Sequence, residues 1–561
     1  MHKKAACTFL LLALAILKVA GQTTYLRSGH EDYHLLDRLE TRSGRLSNDL
    51  FLNVKPASRK GIVSFLEQVS DSNTSLSEID RYNIEHAISI SGEWASDEDG
   101  AIDSKRPWFW NLYKKQPDLV HVKSDKFFLS ANPVLTAIGI YESNNSNNPL
   151  FTSNRGMEAR GWIAKKLGFY TFFTDNQEAP PSFVNQWIDS NDAVPGADFF
   201  TRKPGKYDYL LAKGYIDFAV IKDHINVTFG YDKHNYGDGM RSLFLSDFGA
   251  NYAFLRLNTR IWKLNYQNLF MELTPQLLNG RNNLLPHKYA TMHYLTINAT
   301  RWLNVGLFEG VIFNRTNRYE FGYMVPIILY RQVERAMGSP DNVVIGLSAK
   351  AIAAKHLQFY GQLFLDEFTS KELAAGNGYW ANKFGVQVGG KYFDAFNLRN
   401  LDLQGEINLV RPFTYAHFDS IGNYTHYNQP LAHPLGSSFA EISGMMRYQP
   451  VKNLFLSLKG TYYEKGADTG SSNYGNDIFK DYDKRTPVLA NDAAHGYELI
   501  SGIKTKCALL NFNTSYELRE NLFIDLGATY RKYAGTLPTT STTYIQGGVR
   551  LNFARRDYNF Y

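Results

Sequence analysis

The sequence predicts an all-β fold: a transmembrane antiparallel outer-membrane β-barrel of about 18 strands with a small N-terminal helical periplasmic region. Three observations predict it. Apolar and polar residues alternate with period two from about residue 126 almost to the last residue. The connections between these segments alternate between short turns and long polar stretches. After the N-terminal segment, no uninterrupted apolar run reaches the roughly 18 residues of a spanning helix, so a membrane crossing requires a closed barrel. The 561 residues, 20% charged and 14% aromatic with a mean hydropathy of -0.33, suit a barrel whose strands are half polar. They suit a large secreted β-protein equally, so composition alone does not decide.

Residues 1–21 read as a signal peptide, with a basic start at His2, Lys3 and Lys4 and an apolar run from Ala5 to Leu17. Val19, Ala20 and Gly21 supply small residues before Gln22. Cys7 lies inside the apolar run, and removing it leaves Cys507 as the only thiol, so no intramolecular disulfide forms. The formal charge of +6 includes three signal-peptide lysines, and the remainder is too small to imply nucleic acid.

Residues 22–123 form the N-terminal region with short helices. Ser58 is placed to cap a helix whose Ile62, Phe65, Leu66 and Val69 recur at helical spacing. Ser75 and Glu78 suggest a capping box ahead of Ile79, Tyr82 and Ala87. These helices are too short and polar to span a bilayer, which leaves the periplasm or the barrel mouth.

Residues 124–561 form the barrel. Leu454, Leu456, Leu458, Gly460 and Tyr462 share one face against Ser457, Lys459 and Thr461. Leu522, Ile524, Leu526 and Ala528 oppose Asp525 and Thr529, and Leu357, Phe359, Gly361, Leu363 and Leu365 oppose Gln358, Gln362 and Asp366. Short turns are expected at Lys165–Lys166, Lys222–His224, Asn258–Arg260, Thr300–Trp302, Ala354–His356, Pro450–Asn453 and Arg519–Asn521. Between them fall the long segments 176–207, 274–289, 314–340, 412–436 and 463–497. A periplasmic N-terminus puts the short turns in the periplasm and the long loops outside, although the turn from Phe393 to Asn400 is longer than its neighbours. In the last strand Ile545, Gly547, Val549, Leu551 and Phe553 are expected to face lipid, with Gln546, Arg550 and Asn552 inward. An edge strand of a soluble sheet would expose that apolar row.

Several motifs then carry a resemblance. Gly230-Tyr-Asp and Gly237-Asp-Gly-Met-Arg-Ser-Leu-Phe-Leu-Ser-Asp247, followed by a strand pair through Trp262, resemble the Wzi-type capsule assembly family. So do Arg155-Gly-Met-Glu-Ala-Arg-Gly, Gly338-Ser-Pro-Asp-Asn342, Gln362-Leu-Phe-Leu-Asp-Glu-Phe368 and Tyr427-Asn-Gln-Pro-Leu-Ala-His-Pro-Leu-Gly436. Asp37-Arg-Leu39, Arg42-Ser-Gly-Arg45 and Lys55-Pro56 are similar to the family's soluble start. Within the family the chain looks closest to the branch known in gliding bacteria as the gliding motility protein RemB. The resemblance implies a plugged barrel of about 18 strands. It also implies a surface role, in holding capsular or other extracellular polysaccharide or in supporting gliding.

Two groups of residues are candidate ligand contacts. Gly237 and Gly239 around Asp238 permit a tight turn, and with Arg241 and Asp247 this loop can fold inward and offer charges to a sugar hydroxyl or carboxylate. The alternative is a structural loop whose charges satisfy one another. Arg331, Glu334 and Arg335 follow the apolar run from Met324 to Leu329, and their spacing suggests a short lumen-plugging helix. Arg331 and Arg335 would suit an acidic polysaccharide through their planar forks, and a structural ion pair is the alternative. Asp366 and Glu367 are placed next to this helix only as a supposition. Asp477, Asp481 and Asp483 alternate with Tyr474, Phe479 and Tyr482, but without a regular calcium pattern they read better as a mobile, solvated loop.

No catalytic constellation is legible. His293, His356, His417 and His433 are scattered, and neither HExxH nor GxSxG occurs, while Glu158 and Glu309 sit in strands where they would face the lumen. The expected function is therefore a non-enzymatic outer-membrane barrel with no cofactor and no metal. Its expected partners are extracellular polysaccharide, outer-membrane lipid, and periplasmic or surface proteins. A channel for small solutes or oligosaccharides is the alternative.

Overall fold

The computed structural model describes residues 22–558 apart from 73–75, 97–99, 106, 108–111, 144, 146–148, 276–284, 316–317, 328 and 536–537. The signal-peptide segment and Ser75 lie outside the described residues. Eighteen antiparallel strands close into a barrel. They are β1 (Phe127–Glu142), β2 (Leu150–Ile163), β3 (Leu167–Ala179), β4 (Lys206–Ile221), β5 (Ile225–Asp232) and β6 (Tyr252–Ile261), then β7 (Leu264–Leu273), β8 (Lys288–Asn298), β9 (Leu303–Phe313), β10 (Asn342–Ala353), β11 (Leu357–Glu367) and β12 (Lys383–Tyr392), and finally β13 (Leu401–Val410), β14 (Phe439–Val451), β15 (Leu454–Ala467), β16 (Ile503–Arg519), β17 (Leu522–Ala534) and β18 (Thr540–Leu551). Each pairs with its sequence neighbours, and β18 closes on β1 with Leu551 opposite Leu135.

Two-residue periodicity gives the wall two chemistries. Leu135, Phe229, Leu307, Leu347, Val388, Leu526 and Ile545 point outward and are exposed, forming an apolar belt. Asp217, Arg256, Gln387, Asn408, Asn511 and Asp525 point inward and are buried. An apolar exterior around a polar interior is the signature of lipid outside the wall, and closure removes every edge. The chain is an outer-membrane barrel.

Connection lengths follow the expected parity. At Ala164–Lys165 and Ala354–Lys355 both turn residues have positive φ, the backbone of a tight hairpin turn. The turn expected at Asn258–Arg260 lies instead at Trp262, because β6 keeps pairing through Ile261 opposite Leu264. The long turn at residues 393–400 has a structural use: Asp394 accepts from Arg38 at 2.6 Å and Asn400 meets Ser77 at 3.2 Å.

Those partners belong to the N-terminal region, which occupies the short-turn mouth as helices α1 (Asp32–Ser43), α2 (Arg59–Asp71) and α3 (Glu78–Ser89). Ser58 caps α2, accepting from the Gly61 amide at 3.2 Å. The capping box of α3 is Ser77 with Asp80, two residues after the expected pair, because Asp80 reaches the Ser77 amide at 2.9 Å. Arg38 of α1 holds Asp80, Asp394 and Asp402 at 3.0, 2.6 and 2.6 Å. Lys391 pairs with Asp37 at 2.7 Å and Lys350 with Glu40 at 2.9 Å, so ion pairs sheltered from bulk water fix α1 to the wall. Burial pushes the Asp37 carboxyl up, yet Lys391 and Lys350 outweigh it and hold it at about 2.

From the other end, two long loops turn inward. Loop 233–251 descends along the lumen, and loop 411–438 buttresses it through Tyr415 and Tyr424, whose hydroxyls donate to the Leu243 and Phe244 carbonyls at 2.9 and 2.6 Å. The two plugs meet: Asn235 and Tyr236 pair with Lys55 and Val54 as a two-stranded ladder, extended by the Gly237 amide on the Asn53 carbonyl at 2.8 Å. A third segment enters where β18 stops. Asn552 has φ 53° and turns residues 552–558 into the lumen, so Phe553 stacks on buried Phe172 and does not face lipid as expected. Further along, Arg556 donates to Glu178 at 2.7 Å, and the Tyr558 hydroxyl reaches the same carboxylate.

Two predictions follow from this architecture. Val388→Arg places a cation on the lipid face of β12 and is expected to cost about 2–4 kcal/mol in denaturant titrations of the protein in liposomes, whereas an inward substitution of equal size lacks that depth dependence. His86 of α3 lies 3.1 Å from Glu520 and 3.3 Å from Glu517. Burial opposes its protonation, but the two carboxylates prevail and raise it from 6.5 to about 9. Its contribution is therefore complete below 6.5 and is lost as the pH rises through about 9. Hydrogen exchange in α3 should speed up across that interval beyond the intrinsic effect, and His86→Gln should remove the pH dependence at a cost on the order of 2–3 kcal/mol.

Candidate functional site

The plugs leave a cavity of about 540 Å³ between α1, α3 and the inner wall of β13 to β18. That volume lies within the range of small-ligand sites. Its floor carries Arg38, His34 and Asp402; Arg447, Arg550 and Arg555 come from the wall and the inward tail; Tyr82, Phe455, Phe523 and Phe553 add aromatic faces. It extends to Asn83, Gln449 and Asn521 at the short-turn, periplasmic end.

Most of these charges are paired. Arg550 bonds Asp525 at 2.6 Å and Glu31 at 3.0 Å, Arg555 bonds Asp557 at 3.0 Å, and His34 bonds Asp402 at 2.8 Å. Burial and the neighbouring Arg447 keep His34 below its ordinary range despite Asp402, so it is a neutral hydrogen-bonding group at neutral pH. Arg447 differs. Its contact is the Gln404 amide oxygen at 3.3 Å, and no carboxylate of the described residues comes within ion-pair distance. A guanidinium facing a cavity with spare donors is suited to a carboxylate or a pair of sugar hydroxyls. Arg447 escaped the sequence analysis because nothing around it marks a motif, and only the alternation of β14 shows that it faces inward.

Two of the three sequence candidates in the first group meet here. Asp238 and Asp247 line the cavity, and Asp238 also sits 3.2 Å from Lys350. Arg241 points away from it to Glu441 at 3.2 Å, while Glu406 receives the amides of Met240 and Arg241 at 2.6 and 3.1 Å. Gly239 suits that close approach, since a Cβ there would lie 2.8 Å from the Arg241 carbonyl oxygen as well as 2.4 Å from a Glu406 oxygen.

The second group is elsewhere. The helix that carries Arg331, Glu334 and Arg335, Tyr330–Ala336, does not plug the lumen. It lies on the outer wall, where Tyr289, Val311 and Phe313 point outward and pack with Tyr323 and Tyr330. Glu309 is likewise outward and not lumenal as expected, lying 3.8 Å from outward His293; Tyr330 covers the pair through a hydroxyl contact to His293. Residue spacing set the Arg331–Glu334 pair, observed at 3.0 Å, but could not say on which side of the wall the helix lies. Glu158 does face inward and meets Arg27 at 3.3 Å. Asp366 and Glu367 pair with Lys383 at 3.3 and 3.0 Å, apart from Arg331. The loop of Asp477, Asp481 and Asp483 is packed and not solvated throughout: Ile478 and Tyr482 are buried, and Asp477 and Asp481 accept from the Phe479 and Asp483 amides.

No protein-family model and no curated protein sequence matches the chain. Among solved structures it is similar to Wzi, an outer membrane protein involved in group 1 capsule assembly in Escherichia coli and described as a carbohydrate binding β-barrel. The TM-score is 0.56 at 12% identity, over 96% of this chain and 100% of that one. It also aligns with OprD of Pseudomonas aeruginosa at TM-score 0.42 and 11% identity, over 75% of this chain and 94% of that one. The first likeness is one of fold and spans nearly the whole of both chains.

Proposed function

We propose that this chain is a non-enzymatic outer-membrane barrel that binds surface polysaccharide and serves its attachment or assembly, with gliding motility as the process served in a gliding cell. The observation that carries the reading is the cavity: a filled lumen that retains about 540 Å³ lined by arginines, carboxylates and aromatic faces. Saccharides are held by this combination, with rings stacked on aromatic faces and hydroxyls or uronate carboxylates on charged groups. Arg447, Asp238 and Asp247 are the contacts assigned to the ligand. The fold shared with a carbohydrate-binding barrel supports the same reading.

Solute conduction is disfavoured by the meeting of the two plugs in mid-lumen. Arg447→Gln keeps a polar side chain but removes the guanidinium and its charge, and should weaken binding of oligosaccharides from the cell's own surface polysaccharide by about tenfold with the melting temperature unchanged. Equal affinity in calorimetry would remove the cavity from the account. Deleting the gene should reduce capsule retention or surface spreading, and normal behaviour in both would contradict the role itself.

A further inference from the structure

The loop between β9 and β10 folds down the outside of the barrel as a flap. Beneath it lie Thr291, His293 and Glu309, a polar strip on a face that elsewhere meets lipid. Tyr319 covers Thr291, Tyr330 covers His293, and the Arg331 amide donates to Glu309 at 3.4 Å. The flap's own outer surface is the reverse: Phe321 is 83%, Ile327 88% and Leu329 65% exposed. This apolar edge continues the belt, since Leu307 and Leu347 are exposed on the same strands and opposite each other in register.

The charges exposed on the flap are of one sign. Arg318, Arg331 and Arg335 are exposed, whereas Glu334 is buried and Glu320 is half-buried against Arg315 at 3.4 Å; among the described residues from 318 to 340 no carboxylate is exposed. Apolar side chains flanked by arginines, continuous with a lipid-facing wall, are the composition of a segment that lies in a bilayer interface and attracts anionic headgroups.

We propose that the flap is a lipid-binding element, its apolar edge in the acyl chains of the outer leaflet and Arg318, Arg331 and Arg335 on the phosphates of an anionic lipid. The proposal is independent of the polysaccharide reading, because it uses the opposite side of the wall. The test is hydrogen exchange of the flap in nanodiscs of phosphatidylcholine, alone or with lipid A, for the full chain and for Arg318→Gln/Arg335→Gln, which leaves the pair of Arg331 with buried Glu334 in place. Both substituted arginines are exposed and form no ion pair among the described residues, so the variant should fold, and unchanged exchange in β9 and β10 verifies it. Lipid A is expected to slow exchange in residues 318–336 by about fivefold or more in the wild type and far less in the variant, with retained lipid A seen by native mass spectrometry. Equal exchange with and without lipid A, or equal slowing in the variant, would overturn the proposal. Slowing by soluble polygalacturonate in lipid A-free nanodiscs, with none from lipid A, would also overturn it and make the flap a site for acidic glycan.

Discussion

The structure depends on how a barrel of this girth satisfies a polar inner wall without leaving a water-filled bore. Inward carboxylates and cations are costly to bury unpaired. They are met by a protein interior brought in from three directions: the N-terminal helices, loops 233–251 and 411–438, and residues 552–558. Arg38 is the point where this is most concentrated, joining α1, α3, the turn at residues 393–400 and β13 through three carboxylates. The ladder between Val54–Lys55 and Asn235–Tyr236 then joins the periplasmic plug to the extracellular one.

Much of the wall was legible in the sequence, because lipid imposes a rule on every second residue and an outer-membrane barrel imposes one on loop length. Leu454 to Tyr462 and Leu522 to Ala528 show it directly. The interior was less legible. The glycines at 237 and 239 marked a loop able to turn inward, but its acceptor, Glu406, is an ordinary inward residue of a distant strand. Phe553 shows the limit differently: alternation extrapolates through it, and a single left-handed residue at Asn552 sends it into the lumen.

The helix Tyr330–Ala336 was the largest departure, and its reason is physical. Ion-pair spacing and an adjacent apolar run describe an amphipathic element without saying which apolar medium it meets. Here the lumen was already filled, while the outer wall presented His293 and Glu309, a pair that lipid alone would leave unsatisfied. The cavity beside Arg447 is the complementary case, since there the filling is incomplete and charged groups with aromatic faces remain available to a ligand.

Planar-bilayer conductance of the purified, refolded protein tests the filled lumen most directly. Interlocked plugs predict no steady current from the intact protein, with conduction appearing only when the inward segments are removed together. A stable open pore in the intact protein would contradict the account.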